Sequence, residues 1–226
     1  MTRLLLIRHG QTPANVAGIL ETTIPGPGLT ELGRQQAEAL VEALGGEPIA
    51  AIHVSVMMRT SLTASPLAAH LALEPSVREG LHEIEAGALE GRADRDAVRG
   101  YLGTLAAWAD GALDTPMPGG ADGLAFFDRF DAAVARIVAE HPDDATLAIV
   151  SHGAAIRVWT GGRGANIDPA FTSSHELDNT GIVIVDGGPE AGWTVESWMG
   201  EPIGGAALED EGAVDPAGAP LEDHRA

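Results

Sequence analysis

Leu4-Leu5-Leu6-Ile7 runs straight into Arg8-His9-Gly10-Gln11-Thr12, and Thr146-Leu147-Ala148-Ile149-Val150 runs straight into Ser151-His152-Gly153. A short aliphatic run of this kind reads as a strand buried on both faces, as in a parallel sheet. Burying a guanidinium or an imidazole at the end of such a strand is costly unless the group has a partner or a task. In parallel sheets the carboxyl ends of the strands are where ligands bind. Gly10 lets the backbone turn sharply and approach a ligand closely. Arg8 offers a planar fork of donors suited to phosphate, and His9 is a nucleophile or base near neutral pH. The first run alone equally suits a strand end with two solvated polar residues. Its repetition at His152 turns the pair into a constellation.

Around these two runs, strand patterns alternate with helical ones, which argues for an α/β fold. Ala51 to Val54 reads as a strand and residues 59–72 as a helix. Thr30 caps a helix that Gly45-Gly46 stops. Asp94 to Ala109 is an Ala-rich helical stretch. Asp122 opens a long helix to about Glu140, with Phe126, Phe127, Phe130, Val134 and Ile137 on its apolar face. A further helix follows Gly153 and runs to about Thr160. Ile182 to Val185 and Trp193 to Trp198 read as the last two strands, joined through Asp186-Gly187-Gly188-Pro189. Residues 1–200 form one domain. Residues 201–226 change to Gly, Ala, Pro and acidic residues without periodicity, the pattern of a disordered, solvated tail.

The chain has 226 residues, 33 acidic and 13 basic, for a formal net charge of −20. So acidic a surface argues against nucleic acid and anionic membranes as partners. It also makes the meeting of Arg8 and Arg59 with two histidines more telling, because a cationic pocket is being built in an anionic protein. There is no cysteine, hence no disulfide or thiol chemistry. No apolar run approaches membrane-spanning length and the N-terminal run is too short for a signal peptide, so the cytoplasm is the default location.

Two further segments complete a recognisable order: Ser55-Val56-Met57-Met58-Arg59-Thr60, and Leu81-His82-Glu83-Ile84-Glu85-Ala86-Gly87-Ala88-Leu89-Glu90-Gly91. With Arg8-His9-Gly10 and Ser151-His152-Gly153 they resemble the histidine phosphatase superfamily, also called phosphoglycerate mutase-like, over roughly residues 3–200. That resemblance implies a three-layer α/β/α sandwich with a mostly parallel central sheet. It implies hydrolysis of a small phosphorylated metabolite through a phosphohistidine on His9, without cofactor or metal. Arg8, Arg59 and His152 would bind and stabilise the phosphoryl oxygens, and Glu83 would protonate the leaving oxygen. Gln11, Thr12 and Asn15 match the loop that follows the first histidine, and Asn15 either touches phosphate or serves as a turn or cap residue. A cap is expected from residues near 15–28 and 85–120.

Departures and alternatives remain. Glu85 lies two residues from Glu83 and shares its face in an extended segment; the spacing to Gly87 and Glu90-Gly91 favours Glu83, with Glu90 bracing backbone. The family's usual Pro is here Val56, its usual Gln is Leu62, and Ala121-Asp122 replaces a common polar pair. These departures bear on substrate identity. Mutase-type phosphoryl transfer is an alternative, although the separated Arg92, Arg95 and Arg99 and the short segment before Pro118 favour hydrolysis. A catalytically silent phosphate-binding protein is another. No histidine spacing makes a metal set; His53 reads as a satisfied core histidine, and Arg157 as a solvated helix residue or an extension of the cationic rim. An oligomer through a strand edge or the Trp193 and Trp198 region is open.

Overall fold

Leu4 and Leu6 enter one apolar cluster while Leu5 and Ile7 enter another. That alternation along β1 (Thr2–Arg8) follows from successive side chains pointing to opposite faces of a strand. A computed structural model of the chain describes residues 1–210, 212–213 and 215–218. After β1 come α1 (Pro13–Ala17), α2 (Glu31–Leu44), β2 (Ile49–Ser55), α3 (Met58–Leu71) and β3 (Ser76–Arg78). A segment with one 3-10 turn (Gly87–Leu89) leads to α4 (Arg95–Ala109) and α5 (Gly123–Ala139). Then follow β4 (Thr146–Ser151), α6 (Gly153–Arg163), α7 (Pro169–Ser174), β5 (Ile182–Gly188), β6 (Gly192–Met199) and a 3-10 turn (Ala206–Leu208).

The sheet has six strands in the order β3-β2-β4-β1-β5-β6. The pairs β1–β4, β4–β2 and β2–β3 are parallel, and the β5–β6 hairpin adds antiparallel strands beside β1. Leu40 and Leu44 of α2 and Ala64 and Leu67 of α3 cover one face, with Ala148 and Val150 of β4. Leu102 and Leu105 of α4, Phe126, Phe130 and Ile137 of α5, and Ile156 and Trp159 of α6 cover the other, with Leu147 and Ile149 of β4. This is the expected α/β/α sandwich.

The helices start where the sequence signals them. Thr30 accepts from the Gly33 amide at 3.0 Å, Asp94 from Ala97 at 3.2 Å and Asp122 from Ala125 at 2.9 Å, each satisfying a donor that the first turn leaves open. Three short elements are additional. β3 has only three residues, too few to alternate visibly. α1 and α7 are also below one and a half to two turns, but each begins with a polar cap followed by Pro, Thr12-Pro13 and Asp168-Pro169. The β5–β6 turn lies at residues 189–191 rather than 186–189. Asp186 stays in the strand opposite Arg3, whose Nε donates to it at 2.8 Å.

The segment after residue 200 differs from the solvated tail expected of it. Leu208 accepts from Gln36 Nε2 at 2.8 Å, Asp210 accepts from Gln11 Nε2 at 2.8 Å, and Gly218 accepts from the Leu177 amide at 3.1 Å. Its acidic and backbone groups find amide partners on the sheet's carboxyl edge, which needs no periodicity. Residues 211, 214 and 219–226 lie outside the described residues. Among the described residues no helix is long and apolar enough to cross a membrane.

Candidate active site

β1 and β4 run side by side with Ile7 opposite Val150 and Arg8 opposite Ser151. The next residue on each strand is therefore a neighbour of the other, and these are His9 and His152. The His9 amide donates to the Ser151 carbonyl at 3.0 Å, and the two imidazole centroids are 5.2 Å apart at 61°. The sequence turns off immediately after His9 because Gly10 permits close packing on α2. A Cβ on Gly10 would lie 2.6 Å from the Gly33 carbonyl oxygen, well inside contact distance.

His9 is buried, and its Nδ1 lies 2.8 Å from the Gly10 carbonyl oxygen. A carbonyl only accepts, so that nitrogen carries the proton and Nε2 keeps its lone pair. Burial first, then the Arg59 and Arg8 guanidiniums, hold the His9 pKa well below its ordinary value. The imidazole is thus neutral near pH 7, the form that can attack.

His152 stands at the N-cap of α6, fully buried, with Nε2 2.8 Å from Ser55 Oγ. Ser55 Oγ also accepts the Met57 amide at 3.2 Å and lies 3.1 Å from Thr60 Oγ1. His152 Nδ1 is a buried atom without a partner among the described residues. Burial, then Arg59 and His9, keep this imidazole neutral as well.

Arg59 is the second residue of α3 and is buried. Its Nη2 donates to the Glu21 carbonyl at 3.2 Å, while Nε and Nη1 have no partner among the described residues. Arg8 is fully buried. Its Nη1 donates to the Leu177 carbonyl at 2.7 Å, its Nη2 pairs with Asp215, and its Nε is without a partner among the described residues. Buried guanidinium donors left open are costly, and they mark a place prepared for an anion.

Glu83 lies on the loop between β3 and the Gly87–Leu89 turn, 4% exposed. Its carboxylate accepts from the amides of Ile84 at 2.9 Å, Ala154 at 3.2 Å and Ala155 at 2.8 Å, the last two at the start of α6. Burial raises its pKa above the ordinary value, against the opposing pull of those amides and Arg59. The structure separates it cleanly from Glu85. Glu85 bonds His82 Nε2 at 3.0 Å and lies 3.8 Å from Arg129, and its pKa is lowered to about 2, first by the His82 bond.

His9, Thr12, Asn15, Arg59 and Glu83 line one cavity, with Leu20, Thr22, Tyr101 and Asp215 among its other walls. Asn15 is a cap residue, one of the two readings open for it. Its Oδ1 accepts the Thr12 amide at 2.9 Å in a capping box, and its Nδ2 faces the cavity, donating to Asp215 Oδ1 at 3.1 Å. Gln11 turns away: its side chain bonds Asp210 and Thr30, and it lines a different, acidic hollow. The two cap segments are bonded together, Leu20 to Arg92 at 2.9 Å and the Thr22 amide to Glu90 Oε1 at 2.7 Å. Glu90 therefore braces backbone.

Arg157 corrects the reading of a solvated residue. It is 2% exposed, donates to the Thr172 carbonyl at 3.0 Å and joins α6 to α7. Burial, then Arg8, lowers its pKa to about 10. Arg92, Arg95 and Arg99 are exposed and away from the cavity. His53 is a core histidine as expected, bonded to His141 at 3.2 Å and accepting from Arg78 Nε at 3.1 Å. Two positioning residues escaped the sequence reading. Ser55 follows the last strand residues paired with β4 and so meets His152. Arg129 of α5 donates to the carbonyls of Gly80, His82 and Glu83 at 2.7 to 2.8 Å and clamps the loop that carries Glu83.

The chain is similar to several known proteins. PE-PGRS family protein PE_PGRS11 of Mycobacterium tuberculosis is 40% identical in a match 223 positions long that covers 92% of this chain and 38% of that protein. The chain thus spans little more than a third of that relative. Salmonella choleraesuis has a protein called probable phosphoglycerate mutase GpmB that is 28% identical over 95% of this chain and 98% of its own length. The solved structure of a mycobacterial glucosyl-3-phosphoglycerate phosphatase with VO3 superposes with a TM-score of 0.75 at 27% identity, covering 88% of this chain and 99% of that one. The family model described as histidine phosphatase superfamily (branch 1) matches residues 4–200, and the chain belongs to that superfamily.

Proposed function

We propose that the chain hydrolyses phosphomonoesters of small metabolites through a phosphohistidine on His9. The observation that carries this reading is a neutral His9 with its Nε2 lone pair free, beside buried Arg59 and His152 nitrogens that lack partners among the described residues. Arg8, Arg59, His152 Nδ1 and Asn15 Nδ2 hold the phosphoryl oxygens and offset the charge that develops on them. Thr12 acts by fixing Asn15, and Gln11 braces the loop from outside.

His9 Nε2 attacks phosphorus, the bond from phosphorus to the ester oxygen breaks, and Glu83 gives its proton to the departing alcohol. A buried carboxyl with a raised pKa suits that donation. The resulting carboxylate then takes a proton from water as its oxygen attacks phosphorus. The phosphorus–nitrogen bond breaks, inorganic phosphate leaves, and Glu83 is protonated again. No step needs a metal or cofactor.

A phosphomonoester panel without added metal, run beside 3-phosphoglycerate isomerisation and a His9→Ala control, tests this. Phosphate release that disappears in His9→Ala is expected. Isomerisation without release would move the chain to the mutases, the name its Salmonella relative carries.

A further inference from the structure

The carboxylate of Asp215 lies on the residues assigned above to phosphate. Its Oδ2 pairs with Arg8 Nη2, and its Oδ1 accepts from Asn15 Nδ2 at 3.1 Å. The flanking backbone is seated as well: Ala217 accepts from Arg157 Nη1 at 3.3 Å, and Gly218 accepts from the Leu177 amide at 3.1 Å. The Asp215 side chain is 13% exposed. With Asp215, Pro216 and Ala217 in its wall, the cavity at His9 has a volume of about 30 Å³. That is little room beside Asp215 for a phosphoryl group and its alcohol.

We propose that Asp215 holds the phosphate site closed in the free protein, its carboxylate standing in for an anionic ligand on Arg8 and Asn15, so that phosphate must displace it. This rests on the reading of these residues as the phosphate site. The occupant is a partial one. Among the described residues, Arg8 Nε, Arg59 Nε, Arg59 Nη1 and His152 Nδ1 stay without partners while Asp215 is in place. A planar carboxylate carries one charge and two oxygens, whereas a phosphate dianion is tetrahedral and can reach donors on several sides. Displacement therefore exchanges a weaker anion for one that satisfies more of the site. The apparent affinity of such a site is its intrinsic affinity reduced by the fraction of molecules that are open. Gly218 is part of the seat, because a Cβ there would lie 2.2 Å from Arg8 Nη1.

Calorimetric titration of inorganic phosphate into the 226-residue chain, Asp215→Ala and Asp215→Asn tests the proposal. Asp215→Ala removes the occupant; Asp215→Asn keeps its size but removes the charge that holds it on Arg8. Both variants should bind phosphate more tightly, by ~10-fold if a tenth of the wild-type molecules are open. Unchanged or weaker phosphate binding in Asp215→Ala overturns the proposal and makes Asp215 a bystander or part of the ligand grip. Turnover is not the readout. Tighter phosphate binding in a chain that hydrolyses nothing keeps this inference and overturns the catalytic reading, and the reverse pattern does the opposite.

Discussion

Glu83→Gln tests proton donation in the phosphorylation step, where Glu83 acts as the acid. Glutamine keeps the size of the side chain and an oxygen that can accept the Ala155 and Ile84 amides, now 2.8 and 2.9 Å from Oε1. It cannot give a proton to a leaving alkoxide. General acid catalysis contributes roughly 10²- to 10⁴-fold, or about 3 to 5 kcal/mol of barrier. The burial that raises the Glu83 pKa keeps a larger protonated fraction at neutral pH and argues for the upper part of that range. An alkyl phosphate should therefore lose roughly 10³-fold or more in kcat. Nitrophenyl phosphate, whose leaving group is far less basic and departs without a proton, should lose much less in the phosphorylation step. The assay is pre-steady-state phosphorylation of wild type and Glu83→Gln with both substrates, alongside phosphate binding. Equal losses for the two leaving groups would refute the acid role and leave Glu83 as a strut for the start of α6. The same carboxyl predicts an alkaline limb, since activity that needs the protonated form falls as pH rises through the raised pKa.

Other expectations follow from the same geometry. Arg59→Ala removes two open donors beside His9 and should lower kcat/KM by roughly 10³-fold with the fold intact; a loss under tenfold would place the phosphate elsewhere. Arg129→Ala unclamps three carbonyls and should destabilise the protein by about 2 to 4 kcal/mol, read as a lower urea midpoint; an unchanged midpoint would contradict the clamp. His9 and His152 have folded pKa values well below 6.5. The unfolded chain thus takes up protons first as pH falls, and the stability that these groups contribute is complete above 6.5 and lost below it. The urea midpoint should fall from pH 6.5 downward, with a gentler slope in His9→Asn; a midpoint that rises on acidification would contradict the burial of neutral imidazoles.

What could be read in advance was the part that lies on regular elements. His9 and His152 follow aliphatic runs, so their juxtaposition needs only two parallel strands in register, and Arg59 follows from a strand-to-helix turn. Glu83 required more. Its segment is neither helix nor strand, so the face shared with Glu85 in an extended chain is not realised, and burial at the start of α6 picks one carboxylate from the two. Gln11 failed for a related reason, because beyond the Gly10 turn its side chain is drawn to Thr30 and Asp210. Ser55 and Arg129 act through strand register and a loop's carbonyls, which have no local pattern. Arg157 reads as solvated on its helix, yet α7, too short to show periodicity, buries it. Asp215 sits in a segment whose composition suits disorder, and long-range contacts with Arg8 and Asn15 hold it in place.

The most direct test of the central claim is acid-sensitive phosphoenzyme trapping. Enzyme mixed with a radiolabelled phosphomonoester is quenched in base within milliseconds and mapped by peptide mass spectrometry. The account predicts a phosphoryl group on the His9 peptide that is stable in base and labile in acid, and none in His9→Ala. Label on another residue, or turnover that persists in His9→Ala, would contradict it.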